Sequence, residues 1–200
     1  MRIDVQTAAG PAWIDLQTPA EPKALLGLTH GAGGGVETAD LLAIRDAGPA
    51  AGIAVALITQ AYRVRGRGAP PRPGPQDAAW LPVLAALRSQ KGMARLPLIV
   101  GGRSNGARVA CRTARDAGAS AVVALAFPLH PPGKPEKSRL DELEITALPT
   151  LVVQGERDAF GMPPEDPRWQ RVVVPGDHSL KKDPAAVASA VLDFVATQTR

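Results

Sequence analysis

A serine between two glycines, a later carboxylate and a later histidine are the residues of this 200-residue chain whose types and order could support nucleophilic chemistry. The serine is Ser104, in Gly102-Arg103-Ser104-Asn105-Gly106. The apolar run Leu96–Gly101 leads straight into this pentapeptide and a helical pattern leaves it at once. That is the strand–turn–helix setting in which a G-x-S-x-G turn lifts a serine hydroxyl clear of its own backbone. The turn strains the serine and crowds the positions two residues away, which Gly102 and Gly106 relieve. A serine attacks nothing at neutral pH without a base, and the base needs a carboxylate to orient it. Asp158 follows the run Thr150–Gln154, and His178 follows Arg171–Val174. Two other carboxylates compete with Asp158. Asp166 sits among prolines, and Asp177 is adjacent to His178, so its carboxylate would usually point elsewhere.

A fourth part lies upstream. His30-Gly31-Ala32-Gly33-Gly34-Gly35 follows the apolar run Ala24–Thr29, and its glycines let backbone amides turn toward a developing negative charge. An N–H of Ala32 or Gly33 with that of Asn105 would make an oxyanion hole, each donor worth about 3–4 kcal/mol in the transition state. Around this set lie candidate pocket residues: His30, Arg63, Arg65, Arg103 and His130. His30 reads as a brace for the oxyanion loop or as a second base. His130 precedes Pro131-Pro132-Gly133-Lys134-Pro135 and either lines the pocket or anchors a rigid turn. The segment Tyr62–Arg72 carries four arginines that could bind a carboxylate or phosphate, or could form a solvated loop. Cys111, seven residues into a helical pattern on its packing face, reads as a small buried hydrophobe.

Residues so far apart converge only if the chain brings their loops to one edge. Short apolar runs at Ala24–Thr29, Ile53–Thr59, Leu96–Gly101, Ala121–Phe127, Thr150–Gln154 and Arg171–Val174 fit strands covered on both faces. Helical patterns lie between them at Glu37–Ala51, Gln76–Lys91, Asn105–Ala117 and Leu140–Ala147. A last helix has Asp183 at its N-cap, Pro184 at its first position, and Val187, Val191, Phe194 and Val195 on one stripe. The alternation implies βαβ units and a parallel sheet, whose carboxyl edge is where ligands bind. Two alternating segments, Arg2–Thr7 and Ala12–Thr18, predict an antiparallel hairpin at the sheet's N-terminal edge. Length and a 45% hydrophobic content suit a single domain over 1–200.

The net charge of +4 and pI near 9.6 could suggest an acidic partner. The basic residues are dispersed and not interleaved with aromatics, which argues against nucleic acid. A single cysteine leaves no intramolecular disulfide and no thiolate cluster, and no run of eighteen apolar residues occurs. The N-terminal residues carry no apolar leader pattern, so the expectation is a soluble cytoplasmic protein that binds no membrane and needs no cofactor or metal.

Taken together, Thr29-His30-Gly31-Ala32-Gly33-Gly34, the stretch Gly101 to Arg108, Phe127 to Pro135, Gln154 to Gly161 and Gly176-Asp177-His178-Ser179 resemble a known family. It is the group of small α/β-hydrolase-like proteins that includes the Tex30 and KAT8-regulatory-complex subunit 3 proteins, near the dienelactone-hydrolase-like enzymes. The resemblance runs from about Lys23 onward. It implies the α/β-hydrolase fold, with Ser104, Asp158 and His178 at the triad positions. Dienelactone hydrolases carry cysteine where this chain has Ser104, so that particular reaction is not implied. Some eukaryotic relatives belong to a chromatin-modifying assembly, which keeps a non-catalytic, protein-binding module as the alternative.

The expected fold is therefore an α/β-hydrolase with a mostly parallel twisted sheet, an antiparallel N-terminal edge and helices on both faces. The interval Pro128–Leu148 holds only a proline-rich turn and one short helix, so no lid domain is expected. The expected activity is that of a serine hydrolase acting on a small-molecule carboxylic ester or thioester through an acyl-enzyme.

Overall fold

The computed structural model describes residues 1–199. The two opening segments form the expected hairpin: β1 (Arg2–Thr7) pairs antiparallel with β2 (Gly10–Gln17), which pairs antiparallel with β4 (Ile53–Thr59). The remaining strands are β3 (Ala24–Thr29), β5 (Leu98–Arg103), β6 (Ala121–Leu125), β7 (Thr150–Gly155) and β8 (Gln170–Val174). All run parallel, completing one eight-stranded sheet among the described residues in the order β1-β2-β4-β3-β5-β6-β7-β8. Their carboxyl ends therefore share one edge, and the order reverses around β3, where the His30–Gly35 segment leaves the sheet.

The central strands are buried along their whole length because both faces are covered. Alternate residues of β4 go to opposite cores. Ala54, Ala56 and Ile58 meet Trp80, Val83, Leu84 and Leu87 of α3 (Pro73–Arg88) and Ala107, Ala110 and Cys111 of α4 (Asn105–Thr113). Ile53, Val55 and Leu57 belong with Leu41 and Ile44 of α1 (Ala39–Ala47) and Val187, Val191 and Val195 of α6 (Pro184–Thr197). Asp183 caps α6 by accepting from the Ala186 amide at 2.9 Å, as its position before Pro184 predicts. The small residues Ala107, Ala110 and Cys111 on α4 let its axis approach the sheet beneath the Ser104 turn.

Several boundaries differ from the sequence reading. The helix expected over Glu37–Ala51 divides into α1 and a 3-10 turn at Gly48–Ala51, because Pro49 offers no amide to continue the ladder and Gly52 takes a φ of 74°. The helix expected over Gln76–Lys91 begins earlier, at Pro73, whose missing N–H costs nothing in a first turn. The helix expected over Asn105–Ala117 ends as α-helix at Thr113, and the one over Leu140–Ala147 is α5 (Leu140–Glu144). A short α2 (Ala61–Val64) opens the arginine segment that reads as a plain loop. β8, expected to be covered on both faces, is a half-exposed edge strand. The interval 128–148 carries only α5, so no lid domain stands over the carboxyl edge among the described residues.

Candidate active site

Ser104 sits between β5 and α4 with φ 53° and ψ −114°, a left-handed conformation that an L-residue adopts only when its surroundings enforce it. The enforcement is steric. A Cβ at Gly102 would lie 2.6 Å from the Thr29 carbonyl oxygen and 2.8 Å from the Gly106 carbonyl carbon. One at Gly106 would lie 2.7 and 2.8 Å from the Thr29 and His30 carbonyl oxygens. Glycine at both positions lets the end of β3, the turn and the first turn of α4 close on one another. The Ser104 amide donates to the Leu125 carbonyl at 2.8 Å, tying the turn to β6.

The loop after β8 brings His178 to this turn, and its Nε2 lies 2.9 Å from Ser104 Oγ. On the far side of the ring, Nδ1 lies 2.8 and 3.0 Å from the two oxygens of Asp158. A carboxylate only accepts, so Nδ1 carries the proton and Nε2 presents its lone pair to the serine hydroxyl, which donates. The Asp158 side chain is fully buried, and each of its oxygens has a second donor. The Phe160 amide donates to Oδ1 and Gln154 Nε2 to Oδ2, both at 2.8 Å. The rival carboxylates are engaged elsewhere. Side-chain hydrogen bonds from Arg168 hold the Asp166 carboxyl down at about 2. The Ser179 hydroxyl and amide hold the Asp177 carboxyl below the usual range.

Asn105 is the first residue of α4, where a backbone amide has no intrahelical acceptor. The turn after β3 lies beside it: a Cβ at Gly31 would be 3.5 Å from the Ser104 Cβ. The Tyr62 hydroxyl donates to the Ala32 carbonyl at 3.0 Å and makes a longer bond, 3.4 Å, to that of Gly31. Within a trans peptide C=O and N–H point opposite ways, so the Ala32 and Gly33 amides face away from Tyr62. His30 is fully buried and does not line a pocket. Its Nε2 accepts from the Gln60 amide at 3.0 Å and its Nδ1 lies 2.8 Å from the Gly31 carbonyl, so it braces the loop as a neutral ring. Burial lowers its pKa, against a raising hydrogen bond to Gly31.

The other pocket candidates scatter. Arg65 reaches the β1–β2 turn and donates to the Ala9 carbonyl at 3.1 Å, away from the serine. Arg63 stays close enough to the turn after β3 for its charge to act on His30 and Tyr62. Arg103 turns aside and donates to the His178 carbonyl at 2.7 Å. His130 packs on Gly161, its amide donating to the Phe160 carbonyl at 3.0 Å, so it borders the aspartate loop. Cys111 is buried in the α4 core, and burial pushes its thiol up to about 12. A cavity of about 110 Å³, walled in part by Tyr62, Trp80 and Val83, contains none of Ser104, Asp158 and His178.

Three supporting residues escape the sequence reading. Gln154 holds Asp158, Phe160 stacks on the His178 ring at 4.0 Å between centroids, and Tyr62 holds the turn after β3. Gln154 did leave a signal: it is the one polar side chain in the buried run Leu-Val-Val-Gln at the end of β7.

The fold has many solved counterparts. A dienelactone hydrolase from Anabaena variabilis superposes with a TM-score of 0.77 at 18% identity, over 98% of this chain and 96% of that one. A lidless α/β serine hydrolase from Xanthomonas campestris gives 0.74 at 18%, over 98% and 94%. Est1E from Butyrivibrio proteoclasticus gives 0.75 at 18%, over 98% of each chain. Likeness at this identity establishes the fold. No curated protein matches the chain in sequence. Residues 22–190 match the alpha/beta hydrolase domain family, and the chain belongs to that family.

Proposed function

We propose that the protein is a serine hydrolase of small carboxylic esters or thioesters, working through Ser104, His178 and Asp158. The observation that carries this is the unbroken line from Asp158 through both ring nitrogens of His178 to Ser104 Oγ, with hydrogen-bond distances at every step. Ser104 Oγ attacks the acyl carbon as its proton passes to His178 Nε2. The carbonyl oxygen becomes an oxyanion held by the Asn105 amide with that of Ala32 or Gly33. The imidazolium, stabilised by Asp158, then gives its proton to the departing alkoxide or thiolate, leaving an acyl-serine. Water, deprotonated by His178, releases the acid and restores the enzyme.

The absence of a lid over residues 128–148 favours short or flexible acyl groups over long lipids. Est1E, a structural neighbour, has been solved with ferulic acid bound, and a compact aromatic acid of that kind fits the same expectation of a small ester. The nearer kinship with the Tex30 group rests on the shared motifs alone. The intact hydrogen-bonded line favours catalysis over a purely protein-binding role.

Hydrolysis of p-nitrophenyl acetate, butyrate and octanoate and of a short-chain acyl thioester tests the reading. Expected are turnover falling with chain length and an initial burst that approaches one product per enzyme when deacylation is slow. Wild-type rates no faster than those of Ser104→Ala on every substrate would overturn it.

A further inference from the structure

Arg103 fills the variable position before the nucleophile, and nothing in the reaction above uses it. Its guanidinium nevertheless meets three parts of the site. Nη2 donates to the His178 backbone carbonyl at 2.7 Å, and Nε lies 3.4 Å from Asp40 Oδ2. Nη1 lies 3.7 Å from where a Cβ of Gly31 would stand, beneath the first residue of the oxyanion turn. The Arg103 side chain is 16% exposed and that of Asp40 fully buried. Among the described residues the Asp40 carboxylate has no hydrogen-bond donor, so Arg103 is its charge partner.

Burying an ion pair seldom adds net stability compared with apolar packing, so an expense of this kind points to a positional role. Asp40 lies in the first turn of α1, where the helix dipole favours a carboxylate. It stands on the layer formed by α1 and α6, and Arg103 Nε meets it at 3.4 Å as a charge contact and not as a hydrogen bond. The loop carrying His178 leads into α6 by an irregular path, with Gly176 and Leu180 both at positive φ. A planar guanidinium with its Nε toward one partner and Nη2 toward another sets the distance between them, which a single ammonium cannot do.

We propose that Arg103, anchored by Asp40, is a positioning residue that locks the His178 backbone against the nucleophile turn and so keeps Nε2 in line with Ser104 Oγ. This rests on the hydrolase reading above. The strut acts on the approach of the base, not on substrate affinity. Its loss lowers the acylation rate and leaves substrate binding unchanged.

The test compares wild type with Arg103→Met, Arg103→Lys, Arg103→Ala and Asp40→Asn, using single-turnover acylation by a p-nitrophenyl ester, phosphonylation by a fluorophosphonate, and the downfield proton resonance of His178 Nδ1–H. Circular dichroism and melting curves establish that each variant folds. Misplacing a base by a fraction of an ångström predicts an acylation rate roughly 30-fold lower for Met and Lys alike, with the substrate concentration that half-saturates that step within about twofold of wild type. Asp40→Asn falls between these and wild type, and millimolar guanidinium restores Arg103→Ala at least about fivefold. The downfield resonance broadens or shifts in the Met variant.

Folded variants that react within about threefold of wild type in single turnover, or that keep the limiting rate of that step while its half-saturation moves to higher substrate, overturn the strut. If wild-type Ser104 does not acylate at all, the hydrolase reading falls instead. The strut is then decided by the His178 resonance, and an identical signal in wild type and Arg103→Met overturns it.

Discussion

Replacing Asp158 by Asn tests the hydrogen-bonded line at its most constrained point. Both oxygens of Asp158 already accept: Oδ1 from the Phe160 amide and Oδ2 from Gln154 Nε2, each at 2.8 Å, while His178 Nδ1 spans the pair. An asparagine must set its NH₂ against one of those fixed donors, because neither the backbone amide nor the anchored Gln154 can reverse. In this fully buried setting the unmatched donor costs about 1–3 kcal/mol of stability. The effect on turnover is larger. If the NH₂ faces His178, the ring holds its proton on Nε2 and cannot take the serine's. If the carbonyl faces His178, the imidazolium loses its counter-charge. Either way kcat falls by about 10⁴, equivalent to about 5.5 kcal/mol of transition-state stabilisation, with KM little changed. The assay is p-nitrophenyl butyrate hydrolysis beside urea unfolding of the same preparations. Asp166→Asn and Asp177→Asn, whose carboxylates serve Arg168 and Ser179, should keep turnover within about threefold of wild type. An Asp158→Asn enzyme retaining more than about a tenth of wild-type kcat, or an Asp177→Asn enzyme as impaired as it, would refute the reasoning.

Other consequences are smaller in scope. Gly106→Ala forces the Thr29 and His30 carbonyls back by roughly 0.6 Å to reach ordinary contact, so it should cost about 1–3 kcal/mol in chemical denaturation and at least about tenfold in kcat. Cys111, with its thiol pushed up to about 12 by burial, should resist iodoacetamide in the native protein and react once unfolded, as read by mass spectrometry. His30 is held below its ordinary 6.5 by burial, so the unfolded chain takes up its proton first as pH falls. The stability it supports is complete above 6.5 and declines as pH drops toward the lowered folded value; urea titrations from roughly pH 7.5 to 5.5 should show this slope reduced in His30→Gln.

The parts of this molecule that can be read from its residues are those decided locally. Strands β3 and β4 lie at their expected bounds because a strand covered on both faces leaves an uninterrupted apolar run. Ser104, Asp158 and His178 converge as expected because parallel strands deliver their loops to one edge, whatever the length between them. Helix ends are less legible, since Pro49 stops α1 and Gly52 stops the 3-10 turn after it by details of backbone geometry that the apolar pattern does not register. Side-chain direction was the least legible. Arg65 follows a strand that ends at the site's edge and Arg103 adjoins Ser104, yet one reaches the hairpin turn and the other the His178 backbone. Asp40, Tyr62 and Phe160 gain their roles only from contacts across the fold, with no local pattern to mark them.

Whether Ser104 is a working nucleophile can be measured directly by exposing the native protein to a fluorophosphonate and locating the adduct by peptide mass spectrometry. One equivalent on Ser104, abolished in Ser104→Ala and after denaturation, is the expected result. An unlabelled native protein, or a label on any other residue, would contradict it.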